Sequence, residues 1–268
     1  MERIRSNTRM PTREIRQIVH EEYQTQISKW VASNAMKLAL KMIQGSTEAQ
    51  YKKIWEYCVE LKKTYEGSTM EIMFTPFRGP RGNPKFMRLY CCLGPLKKRF
   101  KDGCRPIIGL DGCHLRCIYR GQLLTVIAID PNNGWWPIAW AVVEREAIEQ
   151  WTWFLKYLSE NLEIENQCHY TFISDQQKVK KAPHPRHWCK AYFPTHVKSD
   201  MIVNNLCESF NAHIKDARDQ PIITMLELIR EYLIDRIQRR RAAMEKYKGS
   251  TGPLINEIVE TRVKHSSQ

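Results

Sequence analysis

The feature that most constrains this chain is a change of period near residue 105. Before it, apolar residues recur at helical spacing; after it come three short apolar runs, one amphipathic helix and a fourth apolar run. The runs are Pro106–Leu110, Gln122–Ile129, Trp136–Val143 and Tyr170–Ser174, and the helical pattern is Glu149–Leu162 with Trp151, Phe154, Leu155 and Leu158 on one face. Three strands, a helix and a strand predict an α/β (α+β) fold, a mixed sheet flanked by helices. After Asp200 the pattern is helical again: Met201–Ala217, a long segment opened by Pro221, and a short one after Pro253.

The first 65 residues predict three helices. One carries Ile15, Ile18, Val19 and Tyr23; a second, capped by Ser28, carries Trp30, Val31, Leu38 and Ile43; a third carries Tyr51, Ile54, Trp55, Cys58 and Leu61. Such a unit suits either DNA binding or packing against the rest of the chain. A strand is expected at Met70–Phe74, and the punctuated run TPFRGPRGNPK then reads as a linker. The predicted division is a helical, DNA-binding segment over 1–75, linker and loop over 76–104, the sheet-bearing domain over 105–217 and C-terminal helices over 218–268.

Charge separates these parts. Residues 1–105 hold 21 basic and 10 acidic side chains, whereas residues 106–268 hold 21 and 19. A basic field of this kind favours a polyanionic partner, DNA before small acidic ligands. No window holds the roughly 18 uncharged apolar residues that a membrane span needs, and MERIRSNTRM has no apolar core for a signal peptide, so neither a membrane protein nor a secreted one is expected. The nine cysteines lack a C-x-x-C pair and read as reduced thiols. Cys113, His114 and Cys117, or His184, His187 and Cys189, are sparse metal-ligand clusters without the spacing of a tetrahedral zinc site.

Two acids come directly after apolar runs: Asp111 after PIIGL and Asp175 after YTFIS. Neighbouring strands would bring both to one edge of the sheet, and Glu208 in NNLCESFN sits on a helix whose apolar side (Val203, Leu206, Cys207, Phe210) can face it. Three hard oxygen donors suit Mg²⁺ or Mn²⁺ and phosphodiester chemistry; strand-end acids also serve as caps and turn formers.

The run CRPIIGLDGCHLRCIYRGQLLTVIAIDPNNGWWPIAWAVVEREAIEQWTWFLKYLSENLEI, then YTFISDQQK, closely resembles the transposase domain of plant Mutator-like elements (the MULE or MuDR family). The stretches 4–58 and 187–249 are similar to that family too. The resemblance implies a ribonuclease H-like fold over 105–217 and DDE chemistry, the metal-dependent cleavage and transfer of DNA strands in transposition. It implies Asp111, Asp175 and Glu208 as catalytic and metal-binding acids, DNA as partner and the nucleus as location; association into homo-oligomers is left open. Arg116 and Arg120 after Asp111, and Lys178, Lys180 and Lys181 after Asp175, are the expected DNA contacts. The chain departs from the family in length: 32 residues separate Asp175 from Glu208, where relatives carry a further helix, strand and helical insertion. It therefore reads as internally shortened, and the alternatives are a non-catalytic DNA-binding regulator, as in the related far-red-response transcription factors, or a degenerate transposase fragment. Trp135, Trp136, Trp140, Trp151 and Trp153 are expected to pack the sheet, with base stacking by one of the adjacent pair as the alternative. Arg236 and Arg239–Arg241 read as the end of a long helix, where cations complement the dipole.

Overall fold

The computed structural model describes residues 3–4, 7, 10–75, 84–117, 119–164, 169–174, 205–249 and 251–266. Helices α1 (Thr12–Tyr23), α2 (Lys29–Gln44), α3 (Thr47–Lys52) and α4 (Ile54–Thr64) lead into strands β1 (Thr69–Phe74) and β2 (Phe86–Cys92). Next come α5 (Gly94–Gly103), β3 (Arg105–His114), β4 (Gln122–Ile129), β5 (Trp135–Val143), α6 (Ile148–Leu162) and β6 (Thr171–Ser174). The chain closes with α7 (Asn205–His213), a 3₁₀ turn at Ala217–Asp219, α8 (Ile222–Glu245) and α9 (Pro253–Ser266). No described helix is long and apolar enough to cross a membrane.

The six described strands form one mixed sheet in the order β1-β2-β5-β4-β3-β6, with every pairing antiparallel except β3 with β6. β3 is flanked by its antiparallel hairpin partner β4 and by the parallel strand β6, reached through α6, in a mixed sheet of the kind expected. Strands β4 and β5 lie in mid-sheet and are buried at every residue, as their largely apolar runs demand. The turn between them is fixed by Asp130, whose Oδ1 accepts from the backbone N–H groups of Asn132 and Gly134, while Asn133 takes the left-handed conformation at φ 58°.

The adjacent tryptophans show how the layers are built. Side chains alternate across a strand, so Trp135 and Trp136 point to opposite faces. Trp136 donates its indole N–H to the carbonyl of Leu96 on α5, at 3.1 Å. Trp135 packs against Phe210 of α7 and Tyr232 of α8. The pair is thus structural, each ring buried under its own helix layer, and base stacking by either is excluded.

Several local expectations change. The stretch 76–104, read as linker and loop, contains β2 and α5, and β2 pairs with β5, which carries the β1–β2 hairpin into the sheet. FMRLYCC is hard to read as a buried strand because Arg88 interrupts it, yet Arg88 is only 3 % exposed and bonds both Glu144 and Glu149. The third N-terminal helix is broken at Lys53 into α3 and α4. On α2 it is Ala32 and Met36 that pack, against Met10 and Ile15, while Trp30, Val31 and Leu38 are exposed. Ser28 caps α2 as expected, its hydroxyl accepting from Val31 N–H.

Candidate functional site: an acid on the sheet and the helix laid over it

Asp111 was expected just beyond a strand end, and the structure corrects this. Gly112, Cys113 and His114 continue the ladder opposite Leu124, Leu123 and Gln122, so Asp111 stands within β3, opposite Thr125. The Asp-Gly pair reads as a turn, but the partner strand β4 continues alongside and satisfies its backbone groups. The parallel neighbour β6 pairs as far as Ser174 with Leu110, one residue before Asp111. Asp175 lies outside the described residues.

Helix α7 crosses the face of the sheet on which the Asp111 side chain stands. Cys207, Phe210 and Ile214 are buried beneath it, which bears out the apolar side expected for Cys207 and Phe210; Val203 is not among the described residues, nor is the Leu206 side chain. Asn211, 7 % exposed, falls on the same buried stripe. Its side-chain N–H donates to Asp111 Oδ2 at 2.7 Å, and its Oδ1 accepts from the Cys113 thiol at 3.4 Å. Thr125 Oγ1 donates to the Asp111 carbonyl at 3.2 Å. Glu208 is one turn before Asn211, at the i, i+3 spacing that makes side chains neighbours on a helix surface, and is exposed. The amide therefore docks the helix that bears Glu208 on the strand that bears Asp111. Sequence reasoning missed Asn211; its only signal was a position one turn past the glutamate.

On the opposite face, the Glu146 carboxylate lies against Gly112, where an added Cβ would stand 2.8 Å from Oε2, and Glu146 Oε1 accepts from the Trp151 indole N–H at 3.1 Å. Gly112 thus leaves room for a side chain that positions α6.

The remaining candidates separate. Arg116 and Arg120 are exposed; the Arg116 backbone N–H donates to the carbonyl of Arg218, and Arg120 lines a cavity of about 960 Å³ with Tyr51, Trp55, Phe86 and Tyr119. Lys178, Lys180 and Lys181 lie outside the described residues, as do His184, His187 and Cys189. His114 shares a hydrogen bond through Nδ1 with Gln122, Cys113 bonds Asn211 and the Cys117 thiol donates to the Tyr119 carbonyl, so these three are not drawn together. Burial also raises the Cys117 thiol above its usual range, away from the thiolate a metal needs. Among the described residues no group of three or more His, Cys, Asp or Glu gathers to hold a metal.

No curated protein matches this chain, and no solved structure does. The family model of the MULE transposase domain matches residues 107–195, a span that contains Asp111 and Asp175 and stops short of Glu208. The likeness is to that domain and is confined to the matched span, about a third of the chain.

Proposed function

We propose that this chain is a DNA-binding, transposase-derived protein of the nucleus in which Asp111, Asp175 and Glu208 form the acidic centre of a DDE-type strand-cleavage site. The observation that carries the reading is the Asn211–Asp111 bond, because it holds the Glu208 helix against the strand of the first acid. Asp111, Asp175 and Glu208 would hold Mg²⁺ or Mn²⁺, because carboxylate oxygens are the hard ligands that both ions take. A divalent ion there would supply charge stabilisation of the phosphodiester and acidify the attacking water. The protein's own part is to present Asp111 at a fixed position, with one carboxylate oxygen held by the Asn211 amide, and to carry Glu208 one turn before Asn211 on the same helix. Water then adds to phosphorus as the P–O3′ bond breaks and O3′ takes up the proton, leaving a 3′-hydroxyl; in strand transfer that hydroxyl adds to a second phosphodiester, whose own P–O3′ bond breaks to release a new 3′-hydroxyl.

The test is incubation of purified protein with DNA and Mg²⁺ or Mn²⁺. Nicking that disappears in Asp111→Asn and Glu208→Gln supports the assignment; nicking that survives Asp111→Asn sinks it.

A second reading, a non-catalytic DNA-binding regulator, is favoured by that same bond, since an amide on Oδ2 gives Asp111 a purely structural role in docking α7. It predicts DNA binding that weakens steeply with salt and no cleavage in any variant.

A further inference from the structure

Arg236, Arg239 and Arg240 fall at i, i+3 and i+4 on α8, one face of one helix. The sequence placed them at a helix end. In the structure α8 runs on to Glu245 and its last turn holds no basic residue, so the dipole does not account for them. They instead line a surface cavity of about 240 Å³, completed by Tyr232 and by His213, the last residue of α7.

The walls of this cavity are held in place. The Arg236 guanidinium carbon stands 3.4 Å from the centroid of the Trp135 ring, and its Nη2 donates to the Trp135 carbonyl at 3.2 Å. His213 stacks on Tyr232 at 5.4 Å and lies 5.7 Å from Trp135. The His213 Nδ1 is 2.6 Å from the Ser209 carbonyl, which orients the ring. The neighbouring carboxylates are committed: Asp130 bonds Arg240 through Oδ2 and two backbone N–H groups through Oδ1, and Asp235 bonds Arg239 at 2.5 Å. Among the described residues Arg236 bonds no carboxylate, and its Nε is buried without a hydrogen-bond partner. Burial and then the charge of Arg240 bring Arg236 down to about 10, against the opposing influence of Tyr232 and Asp130.

We propose that this pocket is an oxyanion site for one phosphate group, with Arg236 as its centre and Arg239, Arg240 and His213 as its rim. A planar guanidinium fork held over an aromatic ring is suited to phosphate, and Arg239 and Arg240 add two further guanidinium groups to the same cavity. The source that fits best is a DNA backbone. That choice rests on the DNA-binding reading proposed above; His213 closes α7, the helix that also carries Glu208. The site stands independently of whether the three acids cleave.

The experiment is a titration of the full chain with a labelled DNA duplex in metal-free buffer across a salt series, for the wild type, Arg236→Gln, Arg239→Gln and Arg241→Gln. Arg241 is exposed, pairs with Glu245 and does not line the cavity. The expected result is an affinity lowered about tenfold, and a salt slope shallower by about one, in the Arg236 and Arg239 variants and not in the Arg241 variant. Arg239 is an exposed side chain, so that variant carries the test even where Arg236→Gln fails to fold. Inorganic phosphate is the second probe. A melting temperature that rises with phosphate over chloride of equal ionic strength in the wild type and not in Arg239→Gln, with DNA affinity unchanged across the variants, assigns the site to free phosphate. Equal loss of DNA affinity in all three variants, or no response to either probe, overturns the proposal. Because binding is read without metal, a protein that never cleaves but shows the selective loss rejects the acidic centre and keeps this site.

Discussion

The side-chain amide of Asn211 donates to Asp111 Oδ2 at 2.7 Å across a separation of 100 residues. Asn211→Leu removes the partner of a half-buried carboxylate and of the Cys113 thiol, with a cost of about 1–3 kcal/mol. Urea unfolding is expected to show it as a lower midpoint with an unchanged slope. Equal stability of wild type and variant would mean that the bond does not hold α7 to the sheet.

Arg88 makes the two glutamates at its ends unequal. Glu144 bonds both Nε and Nη2 of this buried guanidinium, whereas Glu149 is 63 % exposed. Glu144→Gln leaves a buried cation under-compensated and should cost about 2 kcal/mol, while Glu149→Gln should cost about 0.5 kcal/mol. Similar losses for the two in denaturant melts would refute the asymmetry.

The same pair gives a pH dependence. Burial pushes the Glu144 carboxyl up, but the Arg88 hydrogen bond, its own backbone N–H and the Arg88 charge together hold it below the usual carboxylate range. A carboxyl depressed in the folded state contributes stability that is present above its unfolded value of about 4.3 and lost as pH falls through the lower folded value. Stability measured from about pH 6 downward should therefore decline less steeply in Glu144→Gln than in the wild type. Parallel acid limbs would contradict it.

Gln50 caps a helix from a distance. Its Oε1 accepts from the backbone N–H groups of Ile223 and Thr224 in the first turn of α8, and its Nε2 donates to Thr224 Oγ1 at 2.8 Å. Gln50→Leu strands two amide donors and should cost about 2 kcal/mol. Hydrogen exchange at Ile223 and Thr224 is the local readout, with faster exchange expected in the variant.

Two glycines separate close approach to backbone from close approach to a side chain. A Cβ at Gly94 would lie 1.9 Å from the Glu66 carbonyl oxygen, which cannot move without the chain, and Gly94→Ala should cost about 3 kcal/mol or more. At Gly112 the obstacle is the mobile end of Glu146, and Gly112→Ala should cost about 1 kcal/mol. Thermal melts should rank them in that order.

The legible part of the fold was the part whose period and burial agree. β5 is apolar throughout and β4 is so except at Gln122 and Thr125, because both faces are covered, and the composition says so directly. β2 was illegible because the charge that compensates Arg88 arrives from Glu144 and Glu149, more than 50 residues away. β3 was read short because its apolar run stops at Leu110, and pairing with Gln122–Leu124 is what carries it on through His114.

By itself, the sequence determined the order of strands and helices from β3 onward and the identity of Asp111, Asp175 and Glu208 as candidate acids, because hydrophobic period and residue type are local properties. The tertiary structure alone decided that Asn211 holds Asp111, that Trp135 and Trp136 serve opposite helix layers, and that the Arg236 Nε is buried without a partner. Each of these depends on which side chain a distant element places opposite, and no local pattern encodes it.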